Sequence, residues 1–202
     1  MFLEKAIKLP EINIKKDIFL HTLNQRFSCR KFSLQSLSPT HLSEILWASN
    51  GRKKGKGRII PSAGGVYPLE LFVAIGKNSV KNIPEGIYQY NWQENSIVKI
   101  TEGDVRPEIA KSCFNQNFIN DAPISLLISA ELHRTTSWYG SRGERYVIME
   151  AGISSQNVAL ICVHLRLGTV VIGAFDDKKV KAISGIRSNI TPLIVMPIGY
   201  PA

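Results

Sequence analysis

Cysteine is scarce: Cys29, Cys113 and Cys162 are the three in a chain of 202 residues. They form no CxxC and no Cys/His ligand spacing, which excludes a disulfide framework and argues against a metal site. Such usage fits a cytoplasmic chain with free thiols. Long apolar runs are missing too. Met1 to Lys16 is broken by charges every few residues, so it has no signal-type apolar stretch. The uncharged run Ala151 to Leu165 is shorter than the ~20 residues that span a bilayer. It also carries Ser154, Ser155, Gln156, Asn157 and His164, so a buried helix is expected and a membrane partner is not. GxGxxG, GxxxxGK(S/T) and GxSxG are all absent, and His21, His41, His133 and His164 show no HExxH spacing. These absences set aside the dinucleotide fingerprint, the P-loop, the serine hydrolases and the zinc hydrolases. His164, on the buried helix, is expected to be a core group.

Acidic residues are outnumbered, 16 against 25 basic ones, a net charge of +9. That balance favours anionic partners without choosing among them. Five of the cations, Arg52, Lys53, Lys54, Lys56 and Arg58, share one glycine-rich stretch, which is expected to be an exposed loop. The loop lacks interleaved aromatics and no nucleic-acid motif accompanies it, so a nucleic-acid partner is disfavoured. Hydrophobic residues make up 44%, enough for an ordinary core, and the length suits a single domain over 1–202.

Periodicity predicts a short amphipathic helix over 17–25 and a second one opened by Ser38-Pro39 and closed by Gly51. Strands are predicted over 69–76 and 124–130, with a hairpin over 86–91 and 96–100. Helices follow over 104–114 and 144–167, the latter closed by Gly168. A short strand over 169–172, a helix over 177–184 and a strand over 192–198 complete the chain. Irregular alternation of this kind indicates α+β, with a mixed or antiparallel central sheet flanked by helices.

Three clusters carry chemistry. Arg26-Phe27-Ser28-Cys29-Arg30 puts two arginines and a hydroxyl on one side of an extended segment. Such a face either grips a phosphate monoester or is a solvated basic turn. Pro61-Ser62-Ala63-Gly64-Gly65-Val66-Tyr67-Pro68 is a run of small residues that either lets a backbone approach a flat ligand or is only a loop. Ile172-Gly173-Ala174-Phe175 places a glycine after a strand, either to present a backbone N–H or to turn the chain.

In this order the clusters resemble the nitroreductase superfamily, most closely its SagB-type dehydrogenase branch. The likeness runs from Arg26 to Gly199. It includes PSAGxxYPLE from Pro61, GIYQY from Gly86, Gln116, RYVxxEAGxxxQN from Arg145, LGT from Leu167 and GAFDD from Gly173. The resemblance implies an FMN-binding α+β sandwich completed by dimerisation, with two flavins at the interface of a homodimer. Arg26, Ser28 and Arg30 would hold the phosphate. Pro61, Ser62 and Ala63 of the partner would cover the ring, Gln116 would meet the pyrimidine edge, and Ile172, Gly173 and Ala174 would lie near flavin N5. Gly152 would allow close packing at the dimer core.

The implied activity is hydride transfer from NAD(P)H through FMN to a small-molecule acceptor such as a nitroaromatic or quinone. Two alternatives stand beside it: a SagB-type azoline dehydrogenase acting on peptide heterocycles, and a non-catalytic flavin-binding protein. Azoline dehydrogenases of that branch carry a Lys-Tyr base pair. Here the pair is Arg145-Tyr146, and arginine is a poor proton acceptor, which leaves Tyr146 as the one catalytic candidate. Basic residues that relatives carry beyond the last strand are not seen after Tyr200-Pro201-Ala202, so Arg58 is a further candidate for the phosphate site.

Overall fold

The computed structural model describes residues 8–14 and 17–202. Its elements are helices α1 (Ile18–Gln25), α2 (Pro39–Asn50), α3 (Arg106–Ser112), α4 (Phe118–Asp121), α5 (Leu132–Tyr139), α6 (Arg142–His164) and α7 (Asp177–Ser184). The strands are β1 (Leu69–Ile75), β2 (Gly86–Asn91), β3 (Ser96–Glu102), β4 (Ile124–Ala130), β5 (Gly168–Thr169) and β6 (Thr191–Gly199). Of the two sheet types expected, the antiparallel one is found. The six strands lie in the order β3-β2-β1-β4-β6-β5, and every neighbouring pair is antiparallel.

Two cores explain the continuous burial of the central strands. On β1 and β4, Leu71, Val73, Leu126 and Ile128 face one core, which α2 and α6 complete with Ile45, Leu46, Val147 and Val158. Phe72, Ala74 and Leu127 face the other, with Ile109 of α3 and Val180 of α7. The alternation is the period-2 geometry of a strand, here apolar on both sides because helices cover both faces.

Helix α6 is buried along Val147, Glu150, Ala151, Ser154, Val158 and Cys162, a stripe at helical spacing. It is held to α2 by Ser154 Oγ donating to Ser49 O (2.9 Å) and by Asn157 Nδ2 donating to Ala48 O (3.2 Å). Burial on most sides was expected; instead Ile148, Met149 and Ile153 are exposed at 63%, 55% and 40%. His164 is exposed as well, not a core group, because it lies off the buried stripe in the last turn. The helix ends at His164, capped by Leu165, rather than running to Leu167. Arg166, at φ 60°, supplies the left-handed turn expected of a glycine, and Gly168 enters β5.

Candidate functional site

The segment after α1 leaves the helix at Arg26 and continues extended. Ser28 bridges Thr169 in parallel, and the Cys29 N–H donates to Thr169 O at 2.9 Å. Cys29 points inward, 3% exposed, against Phe32 and Ala122. A Cβ on Gly168 would stand 2.5 Å from Cys29 Cβ, so the glycine permits this approach. Arg26, Ser28 and Arg30 remain exposed, and among the described residues no carboxylate forms an ion pair with either arginine. Phe27 is exposed as well, so the expected alternation holds at Cys29 and not at 27.

The same strand edge leads to the third cluster. Ile172 exchanges two hydrogen bonds with Val195, both 2.9 Å, and its side chain sits in the core. Its backbone groups are therefore engaged, and the residues that face outward are Gly173 and Ala174. A Cβ on Gly173 would meet nothing within 4 Å. The Asp176 N–H donates to Ser112 O (2.9 Å), which draws the 113–119 segment to the same region. There Gln116 donates one amide hydrogen to Cys113 O at 3.0 Å. A second hydrogen and Oε1 are left by the chemistry of an amide. Phe114 and Asn115 precede it at φ 57° and 61°, two consecutive left-handed non-glycine residues. Such strain clusters at ligand sites.

The second cluster lies elsewhere. Ala63–Gly65 is a single 3-10 turn with Gly64 at φ 61°. Ser62 Oγ donates to Glu150 Oε1 (3.0 Å), the Ala63 N–H donates to the same oxygen (2.9 Å), and Ser62 Oγ accepts from the Tyr67 N–H (2.8 Å). The serine hydroxyl is thus directed at α6 of its own chain, while Pro61 is exposed. A Cβ on Gly64 would lie 2.7 Å from the Tyr139 hydroxyl, and Tyr139 stands edge-on to Tyr146 with ring centroids 5.2 Å apart. Tyr146 therefore belongs to this cluster. Glu150 belongs to it as well, though sequence reasoning passed over it; the signal was a lone carboxylate in an otherwise small or apolar stripe.

Arg58 does not join the phosphate-type cluster. Its guanidinium lies over the rings of Tyr67 and Trp92, and its N–H donates to Leu69 O at 3.5 Å. The rest of the basic stretch is exposed, as expected, in a turn closed by Lys53 N–H to Gly57 O and Ile59 N–H to Gly51 O.

Register gives the separation of the halves. The 61–68 segment runs into Leu69, which pairs Ala130, which in turn pairs Thr191. Ser28 bridges Thr169, which pairs Ile198, which pairs Ile124. The two clusters thus sit at opposite ends of the sheet, roughly 20 Å apart at 3.4 Å per residue. A groove of about 590 Å3 along Met149, Gly152, Ile153, Gln156 and Asn157 lies on the exposed side of α6.

The six-strand antiparallel sheet between two helical layers is matched in solved structures. A solved nitroreductase-type structure from Ralstonia eutropha shares it with a TM-score of 0.79 at 28% identity, over 96% of this chain and 88% of that one. The Nitroreductase family profile matches residues 23–200. A nitroreductase-type protein of Methanocaldococcus jannaschii is 42% identical over 195 residues, 96% of this chain and 95% of that protein. The fold alone is shared with a chain of the E. coli microcin synthetase complex, at TM-score 0.81 and 19% identity over 100% of this chain and 77% of that one. This chain belongs to the nitroreductase family, and so to a family of oxidoreductases.

Proposed function

We propose that the chain is an FMN-dependent oxidoreductase that works as a homodimer. It takes a hydride from NAD(P)H and delivers it to a small-molecule acceptor such as a nitroaromatic or quinone. The observation that carries this reading is the union of Arg26, Ser28 and Arg30 with Gly173 and Ala174 along one strand edge. Two guanidiniums and a hydroxyl, free of carboxylates, suit a terminal phosphate. The open space at Gly173 suits a flat ring approached by backbone. These residues fit FMN, and no second phosphate-binding glycine loop is present for an adenylate half.

Bound FMN would supply two-electron hydride chemistry at its N5 atom. The chain's part is binding and orientation. Arg26 and Arg30 neutralise phosphate charge, Ser28 adds a hydroxyl, and Gly173 and Ala174 offer main-chain groups beside the ring. Gln116 can give and accept at a pyrimidine edge. A cationic, donor-rich pocket favours the anionic reduced ring. Pro61 to Ala63 lie at the far end of the sheet from Arg26, Ser28 and Arg30, so they would come from the partner, with the exposed face of α6 between the two chains. The motifs from Pro61 to Glu70 and Arg145 to Asn157 favour the SagB-type branch.

A visible spectrum of the purified protein, before and after NADPH, tests the reading. Heat-released cofactor should have the mass of FMN, and the flavin should bleach on reduction. Recovery of FAD, or no flavin uptake after reconstitution, overturns it; flavin that no nicotinamide bleaches indicates a carrier instead.

A further inference from the structure

Glu150 is out of place. It is 4% exposed in a stripe whose other members, Val147, Ala151, Ser154 and Val158, are small or apolar. A buried carboxyl is costly unless bonded, and its bonds go to one place only. Oε1 accepts from Ser62 Oγ and from the Ala63 N–H, residues 88 and 87 positions away, and Ser62 Oγ then accepts from the Tyr67 N–H. One oxygen thus ties both ends of a six-residue segment to α6.

That segment needs an external hold. Gly64, Gly65 and Tyr67 all have left-handed φ, of 61°, 67° and 53°. Its internal backbone bonds are Gly65 N–H to Ser62 O (3.0 Å) and Val66 N–H to Ala63 O (3.3 Å), a single turn. Nor does the anchor serve the core, since Pro61, Gly64 and Gly65 are exposed. A loop wanted only for chain connection gains nothing from a buried acid beneath it.

We propose that Glu150 is the positioning residue that shapes the 62–67 segment so that Pro61 to Ala63 can lie over the flavin ring. The proposal rests on the flavin reading above. Glu150 touches neither ring nor substrate; it acts through Ser62 and Ala63. Burial pushes its carboxyl above the ordinary value, while the bonds from Ala63 and Ser62 and the charge of Arg58 pull it back. Its second oxygen, Oε2, is buried without a partner. A neutral side chain that keeps one acceptor oxygen therefore preserves the anchor, and glutamine meets that description.

The test compares wild type, E150A, E150Q and S62A. Amide hydrogen exchange at Ala63 and Tyr67, read by NMR on flavin-free protein, reports the anchor. FMN and riboflavin titrations and the spectrum of bound flavin report its consequence. In E150A both amides should exchange about tenfold faster or more, the ratio for one lost hydrogen bond to a strong acceptor. FMN and riboflavin should weaken equally, because the segment meets the ring and not the phosphate. E150Q should restore both readouts. S62A should repeat the direction and serves in place of E150A where that variant does not fold. Unchanged amide protection in E150A, or in S62A where it stands in, overturns the proposal. So does faster exchange with unchanged affinities and spectrum. A wild type that takes up neither FMN nor riboflavin overturns the flavin reading itself, and the amide arm then decides alone whether Glu150 anchors the segment.

Discussion

The guanidinium of Arg58 lies 4.1 Å from the centroid of the Trp92 ring. With Tyr67 on it as well, at 4.9 Å, the cation is held between two aromatic faces beneath the start of β1. Within one chain this places it with the 61–68 segment rather than with Arg26, Ser28 and Arg30. Arg58→Ala should lower stability by about 1–2 kcal/mol, the usual range for a partly desolvated cation over a ring. Urea denaturation measures that loss, and the ratio of FMN to riboflavin affinity should stay as in wild type.

Arg26→Ala should do the reverse. A charge-assisted hydrogen bond to phosphate is lost, so FMN affinity should fall about tenfold to hundredfold. Riboflavin, which has no phosphate, should bind nearly as before. Equal losses for both ligands would place the role of Arg26 in folding.

The exposed side of α6 predicts the assembly. Ile148, Met149 and Ile153 present apolar surface that a partner chain would cover. Sedimentation of wild type should give twice the 22.5 kDa of one chain. Met149→Asp should shift it to the single-chain mass and release flavin. A wild-type monomer that keeps its flavin contradicts the dimer.

Tyr146 separates two chemistries. Its ring contacts Tyr139, next to the 62–65 turn. Hydride transfer at N5 requires no side-chain base, so Tyr146→Phe should keep NADPH-to-quinone turnover within about tenfold of wild type, less than removal of a general base costs. Loss of turnover with FMN still bound would put a proton-transfer role, and azoline-type oxidation, first.

A half-buried ion pair gives the pH dependence. Asp104 and Arg106 meet at 2.6 Å, and the guanidinium also donates to Ala122 O. Burial pushes the Asp104 carboxyl up, but the hydrogen bonds and charge of Arg106 prevail and hold it below its ordinary 3.8. A carboxylate depressed in the folded state stabilises fully above its unfolded value and loses that contribution as pH falls through the folded one. Asp104→Asn should therefore be less stable than wild type near neutral pH. The gap should begin to narrow as pH falls below 3.8 and should close once the folded carboxyl has taken up its proton too. Urea curves across that range check the sign.

Much of this was legible because caps and alternation are local. Ser38-Pro39 opens α2 and Gly51 closes it, and the 86–91/96–102 hairpin turns at Asn95, φ 50°. Helices α4 and α5 were not legible: α4 is a single turn, and α5 buries only Thr135, so it carries no apolar stripe for a period to follow. Arg166 took the left-handed position expected of Gly168 because tertiary pairing drew the glycine into β5 against Gly199. At the site, the exposure of Arg26, Ser28 and Arg30 could be foreseen, and that of Phe27 between them could not. The anchor at Glu150 could not, since it depends on contact between residues 88 positions apart.

The separation of the two clusters along the sheet has a consequence for mixtures of defective chains. In the proposed dimer each site takes its phosphate grip from one chain and its ring cover from the other. Pair a chain lacking Arg26 with a chain lacking Glu150. One site then inherits both lesions, while the other is assembled entirely from sound parts. Two weakly binding parents would yield a hybrid with one site of wild-type affinity, so lesions at opposite ends of this sheet would complement each other, and lesions at the same end would not.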